Sequence, residues 1–112
     1  MMRVYSEMEV LGLVSGLTRR RLRRWCRMGL VVPAMREPGG APLFADIDVA
    51  RISLIRELIE DMGVNEAGVE IILDLLDQLH ALHRNTRQLA AALADLDAPT
   101  RERLAARLQD EW

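Results

Sequence analysis

The stretch from residue 65 to about 96 constrains this chain more than any other, because no proline interrupts it and Gly68 is its one glycine. Asn65 is a good N-cap, and Glu66 and Glu70 put negative charge into the first turns, where a helix dipole favours it. Apolar or small residues recur at Ile72, Leu75, Leu79, Leu82, Thr86, Leu89, Leu93 and Leu96, in steps of three and four. That is a heptad stripe with one polar position, Thr86. Val69, Leu73 and Leu76 widen the stripe at its start, where a globular body is expected to pack. A helix of this length spans roughly 48 Å at about 1.5 Å per residue. A chain of 112 residues cannot cover that length by itself. Leu75, Leu79, Leu82, Leu89, Leu93 and Leu96 are therefore expected to bury against a second copy of the chain, making a homodimer.

Half of the residues are apolar, enough for one modest core with an extension. No run approaches the ~18 apolar residues of a membrane span, and no signal peptide is recognised, so no membrane association is expected. The single Cys26 cannot form an internal disulfide, and a reducing cytoplasm is the expected compartment. All 15 basic residues are Arg. The net charge of −2 is unevenly spread: residues 1–35 hold seven Arg and two Glu, whereas residues 66–112 hold five Arg and nine acids. A basic head on an acidic body suits nucleic acid at the head, or one protein partner of mixed charge.

In chain order, Val4 to Met8 reads as a short strand or lead-in and Met8 to Ser15 as a short helix stopped at Gly16. Thr18 caps a second helix, Arg19 to Met28, closed by Gly29. Two short helices joined by a glycine-containing turn form a helix-turn-helix pattern. At about 100° per residue, Leu22, Trp25 and Cys26 share one face of the second helix, and Arg20, Arg23, Arg24 and Arg27 share the opposite one. Leu30 to Pro33 is an extended exit. Residues 36–42 are a turn-rich tip, and Leu43-Phe44-Ala45 a returning strand, together a small β-hairpin wing. Asp46 or Asp48 starts the next helix, with Ile47, Ile52, Ile55, Leu58 and Ile59 expected inward. Asp97-Ala98-Pro99 ends the long helix, and a last short helix carries Leu104, Leu108 and Trp112.

Leu22-Arg23-Arg24-Trp25-Cys26-Arg27-Met28-Gly29-Leu30-Val31-Val32-Pro33 resembles the second helix and exit of MerR-type winged helix-turn-helix domains, roughly L-R-Y-Y-E-x-x-G-L-I-x-P. Gly40-Ala41-Pro42-Leu43-Phe44, followed by Asp48-Val49-Ala50-Arg51-Ile52, sits at the spacing of that family's G-Y-R-x-Y and D-V-x-R-L. Together the matches cover residues 4 to about 76. The start of the long helix, Gly63 to Asp77, is similar to two MerR-like branches, the heat-shock repressor HspR and the chaperone modulator CbpM. In chain length and in its D-L-L-D-Q-L segment it looks more like CbpM. CbpM-like proteins bind the J-domain of a CbpA/DnaJ-like co-chaperone and block its encounter with DnaK, so the resemblance implies such an adaptor. HspR-like proteins imply a dimeric DNA-binding transcriptional regulator instead.

Departures from the family pattern favour the adaptor. The wing Arg of the family stands as Pro42 here, the preceding Tyr as Ala41, and the Glu after the paired aromatics as Cys26. A proline donates nothing to a phosphate, and a wing without a cation loses its electrostatic grip. Arg20, Arg23, Arg24 and Arg27 argue for DNA, since guanidiniums on the exposed face of a recognition helix suit phosphates and guanine edges. Glu66, Glu70, Asp74 and Asp77 form a negative stripe along the long helix. With Glu57, Glu60 or Asp61 adjoining, it is expected to complement the basic second helix that J-domains carry.

His80 and His83 stand three apart, without the further ligands a metal needs, and Cys26 reads as a small core residue. No catalytic set and no phosphate-cradling loop is present, so neither enzyme activity nor a cofactor is expected. The expected protein is mainly α: a MerR-like winged helix-turn-helix body over residues 1–64, a long dimerisation helix over 65–96, and a short C-terminal helix over 97–112. The stripe generates one prediction: size-exclusion chromatography with light scattering at micromolar concentration gives twice the mass of one chain. A clean monomer would remove the coiled-coil expectation.

Overall fold

Ser6 decides where the first helix starts. In the computed structural model, which describes residues 2–110, strand β1 (Val4–Ser6) gives way to helix α1 (Glu7–Leu13) at a capping box. The Glu9 N–H donates to the Ser6 hydroxyl at 3.2 Å, and the Ser6 N–H donates to the Glu9 carboxylate at 3.1 Å. This reciprocal pair satisfies two donors that a helix start leaves open. It sets the helix one residue earlier than the apolar pattern suggests, and α1 ends before Ser15.

Helix α2 (Arg19–Arg27) starts at Thr18, whose hydroxyl accepts from the Arg21 N–H. It ends in a Schellman turn: the Leu30 N–H donates to the Trp25 carbonyl, and the Gly29 N–H to that of Cys26. Gly29 has φ +77°, a left-handed conformation that a side chain would strain. Trp25 and Leu22 are buried while Cys26 is only half-buried, so the inward face is centred on the first two.

Strands β2 (Met35–Arg36) and β3 (Pro42–Ala45) form the wing. The turn between them is closed by the Gly40 N–H donating to the Glu37 carbonyl at 2.8 Å. Pro38 sits at the second turn position, where its fixed φ is already correct. The two-stranded hairpin expected from the sequence is extended, because β1 adds antiparallel to the free edge of β3 with Tyr5 opposite Phe44. The resulting sheet has the order β1-β3-β2, which makes β3 its centre and buries Phe44 and Ala45.

Helix α3 (Asp46–Arg56) follows directly and passes into a π turn, Glu57–Asp61. There the Met62 N–H reaches back five residues to the Glu57 carbonyl. Ile52, Ile55 and Leu58 are buried and Ile59 is half-buried, but Ile47, expected inward, is 74% exposed. Ile47 lies inside the helix, and at 100° per residue it points about 110° away from the midpoint of Ile52 and Ile55.

Helix α4 spans Glu66–Ala94 and α5 spans Ala98–Asp110. Asn65 accepts from the Gly68 N–H at 2.8 Å, the cap expected of it. A Cβ on Gly68 would lie 2.8 Å from Val64 Cγ1, so the glycine lets the chain close tightly there. Pro99 falls in the first turn of α5, where its missing N–H costs nothing. The chain divides into two compact units, Met1–Leu73 and Asp74–Trp112. The core belongs to the first: Val10, Leu22, Trp25, Val31, Phe44, Ile52, Ile55, Val69 and Leu73 are essentially inaccessible. In the second unit Leu104 is half-buried and Leu108 exposed; Trp112 lies outside the described residues.

Asp48 joins the wing to the body. One of its carboxylate oxygens accepts from the Ala45 N–H at 2.8 Å and from the Ala34 N–H at 3.1 Å. Asp48→Ala leaves both amides without an acceptor, and the expected loss is about 1–3 kcal/mol in urea unfolding at pH 7. A loss within experimental error would mean that water replaces the carboxylate at no cost.

Candidate nucleic-acid interface

The cations of α2 raise a problem before they offer a use. Arg19, Arg20 and Arg21 fill the first turn of a helix, where the dipole disfavours positive charge. Carboxylates from two other segments offset this, and one from a third engages the far end of the helix. Glu7, at the start of α1, lies 2.7 Å from Arg19 Nε and 3.2 Å from Arg23 Nη2. Glu60, in the π turn, pairs with Arg21 and also lies 3.1 Å from Arg56. Glu66, in the first turn of α4, takes Arg24 by two parallel bonds of 2.8 and 2.9 Å. Arg24 holds the Glu66 carboxyl below the usual glutamate range, chiefly through those hydrogen bonds, and its own pKa is raised in return.

Arg20 and Arg27 remain. They are exposed, two helical turns apart along the centre of the open face, and have no acidic partner among the described residues. With Arg19 and Arg23 they line a shallow groove on the outer side of α2. The cationic face expected from the sequence is thus present, with a different division of labour. Arg24 is engaged by Glu66, Arg23 is shared with Glu7, and Arg20 and Arg27 stay free to meet a ligand.

The wing corrects an expectation. Pro42 leaves it without the family's cation on β3, yet Arg36 on β2 stands directly opposite Pro42 in the ladder. Its Nη1 donates to the Gly40 carbonyl at 2.9 Å, which fixes the guanidinium against the turn. The inference that this hairpin lacks positive charge therefore fails: the charge has moved across the strand pair. The pairing follows from the turn: Gly40, at φ +91°, is bulged, so the Glu37 N–H donates to the Ala41 carbonyl and residues 36 and 42 become neighbours.

Between α2 and the wing lies a cavity of about 300 Å³. Leu22, Cys26, Pro33, Pro42 and Phe44 form its apolar surface, and Arg23, Arg27, Arg36 and Glu7 its polar one. Burial pushes the Cys26 thiol up from its ordinary pKa, away from the reactive thiolate. An apolar cleft edged by guanidiniums from a helix and a hairpin can hold a sugar-phosphate segment.

The acidic residues expected to meet a partner have divided surroundings. Glu66 is taken by Arg24, and Asp61 lies 3.2 Å from Arg56. Glu57 and Glu70 are exposed, Asp74 accepts from Gln78 at 2.9 Å, and Asp77 is exposed on α4. Of the expected dimerisation residues, Leu75, Leu79, Leu82 and Leu89 are about 60% exposed, whereas Leu93 and Leu96 are half-buried. His80 and His83 are exposed on the same helix, and no helix among the described residues is long and apolar enough to cross a membrane.

Two short helices about a tight turn, the second with its cations outward, and a β-hairpin beside it define a winged helix-turn-helix fold. The sequence profile of the MerR HTH family regulatory proteins matches residues 8–91, and the chain belongs to that family. A Streptomyces coelicolor protein named as the heat shock protein HspR is 34% identical over 93 residues, covering 83% of this chain. The chain spans 61% of that relative's length. In fold it is similar to the crystal structure of HiNmlR, a MerR family regulator lacking the sensor domain, bound to promoter DNA. That likeness has a TM-score of 0.58 at 17% identity and covers 83% of this chain and 75% of the other.

The Arg24–Glu66 pair generates a pH prediction. Because the folded carboxyl is held down, its contribution to stability is complete above the pKa of an unfolded glutamate and fades as pH falls through the lower folded value. Carboxyl NMR should find the Glu66 midpoint below the usual glutamate range, and Arg24→Gln should return it there. A midpoint indifferent to Arg24 would discount the pair.

Proposed function

We propose that this protein is a DNA-binding transcriptional regulator of the MerR/HspR kind. It would lay α2 in the major groove and set the wing on the neighbouring backbone. The observation that carries the reading is the pair of guanidiniums on the open face of α2, Arg20 and Arg27, that have no acidic partner among the described residues, with Arg36 of the wing lining the same cleft as Arg27. Family membership and the 34% identity to HspR support it. Residues 65–96 are read as the dimerisation helix: Leu75, Leu79, Leu82 and Leu89 are the exposed part of its stripe, which a second copy would cover. A two-fold pair of recognition helices would then read a palindromic site.

A second reading, the CbpM-like adaptor that binds the J-domain of a co-chaperone, draws on the exposed carboxylates of Glu57, Glu70 and Asp74. It has the weaker support, since Glu66 and Asp61 of its expected surface are occupied internally.

One titration separates the two. The chain should bind short duplex DNA with log K falling linearly in log salt. Arg20→Ala with Arg27→Ala should flatten the slope by about 0.9 for each phosphate no longer neutralised. If low-salt binding is absent while a purified J-domain is retained, and Asp74→Arg with Asp77→Arg abolishes that retention, the adaptor reading replaces the first.

A further inference from the structure

We infer that Glu7 and Glu66 hold down the affinity of the recognition helix for DNA of arbitrary sequence, by competing from inside the protein for the guanidiniums on its two flanks. This rests on the DNA-binding reading above and adds to it the source of selectivity.

The Glu7 side chain is only 17% exposed, whereas its partners Arg19 and Arg23 are 50% and 59% exposed. The carboxylate is thus sheltered behind α2 while the guanidiniums it holds reach solvent. On the other flank, Glu66 grips Arg24 through a planar two-bond pair that fixes the rotamer of a long side chain. A phosphate approaching Arg19, Arg23 or Arg24 meets a cation already neutralised, and a carboxylate that repels it. The groove of four arginines therefore presents less net charge than its residues suggest.

Binding to any sequence is driven by the number of phosphates neutralised and counterions released. Reading a base edge needs a donor at a fixed position. An arginine held by a carboxylate contributes little to the first and keeps unused N–H groups for the second. The two glutamates weaken indiscriminate attachment while leaving Arg20 and Arg27 at full charge.

The test is binding of a random-sequence duplex by the full chain, followed by fluorescence anisotropy between about 50 and 200 mM salt. Glu7→Gln and Glu66→Gln should each bind about three- to tenfold tighter at the low-salt end, with a slope steeper by about 0.9 for every guanidinium released. Adding Arg24→Gln to Glu66→Gln should erase that gain. Glu102→Gln on α5 changes net charge equally and should produce no comparable gain. Circular dichroism and melting establish that each variant is folded; should Glu7→Gln not fold, Glu66→Gln alone decides. Folded variants that bind no tighter than the parent, or a gain equalled by Glu102→Gln, would overturn the inference. If neither parent nor variants bind duplex at low salt, the DNA reading itself fails and this inference with it.

Discussion

A single carboxylate oxygen ties the wing to the rest of the first unit. Asp48 Oδ2 accepts from Ala34, on the chain leaving α2, and from Ala45, the last residue of the central strand. Three residues on, Arg51 Nε donates to the Leu30 carbonyl at 2.6 Å, just past the end of α2. One turn of α3 thus holds both the exit from α2 and the base of the hairpin. The distance between α2 and the wing, and with it the cleft that Arg27 and Arg36 share, depends on these bonds. Tyr5 repeats the device on the far edge of the sheet: its hydroxyl donates to Asp46 at 2.7 Å and latches β1 to the start of α3.

Trp25 and Phe44 are both nearly inaccessible and provide the largest side chains of the core under this frame. The polar ties fix direction, while apolar burial supplies most of the free energy. This explains why Asp48-Val49-Ala50-Arg51-Ile52 works as a unit. Asp48 and Arg51 face the chain ends they bind, and Ile52 turns into the core.

The charge pattern has a different meaning in three dimensions. Along the sequence, the first third is basic and the remainder acidic. In the fold, carboxylates from α1, the π turn and α4 converge on α2 and sort its arginines into engaged and open ones. The groove on α2 owes its character to that sorting more than to the number of arginines.

Periodicity and capping chemistry are local, so the sequence by itself determined the helices: Thr18 and Asn65 cap where their side chains reach the next turn, and Leu22 with Trp25 marks an inward face. The same locality carried the helix-turn-helix pattern and, through its spacing, the resemblance to MerR-type domains. Other features were decided only when distant segments met. The third strand needed β1 beside β3, some 40 residues away. Arg24 became engaged because Glu66 came to it across 42 positions. Arg36 came to stand opposite Pro42 because the turn made them neighbours in the ladder. A side chain's type is written in the sequence, but its partner is set by the folded backbone, and at this surface the partners determine which cations stay engaged and which stay open.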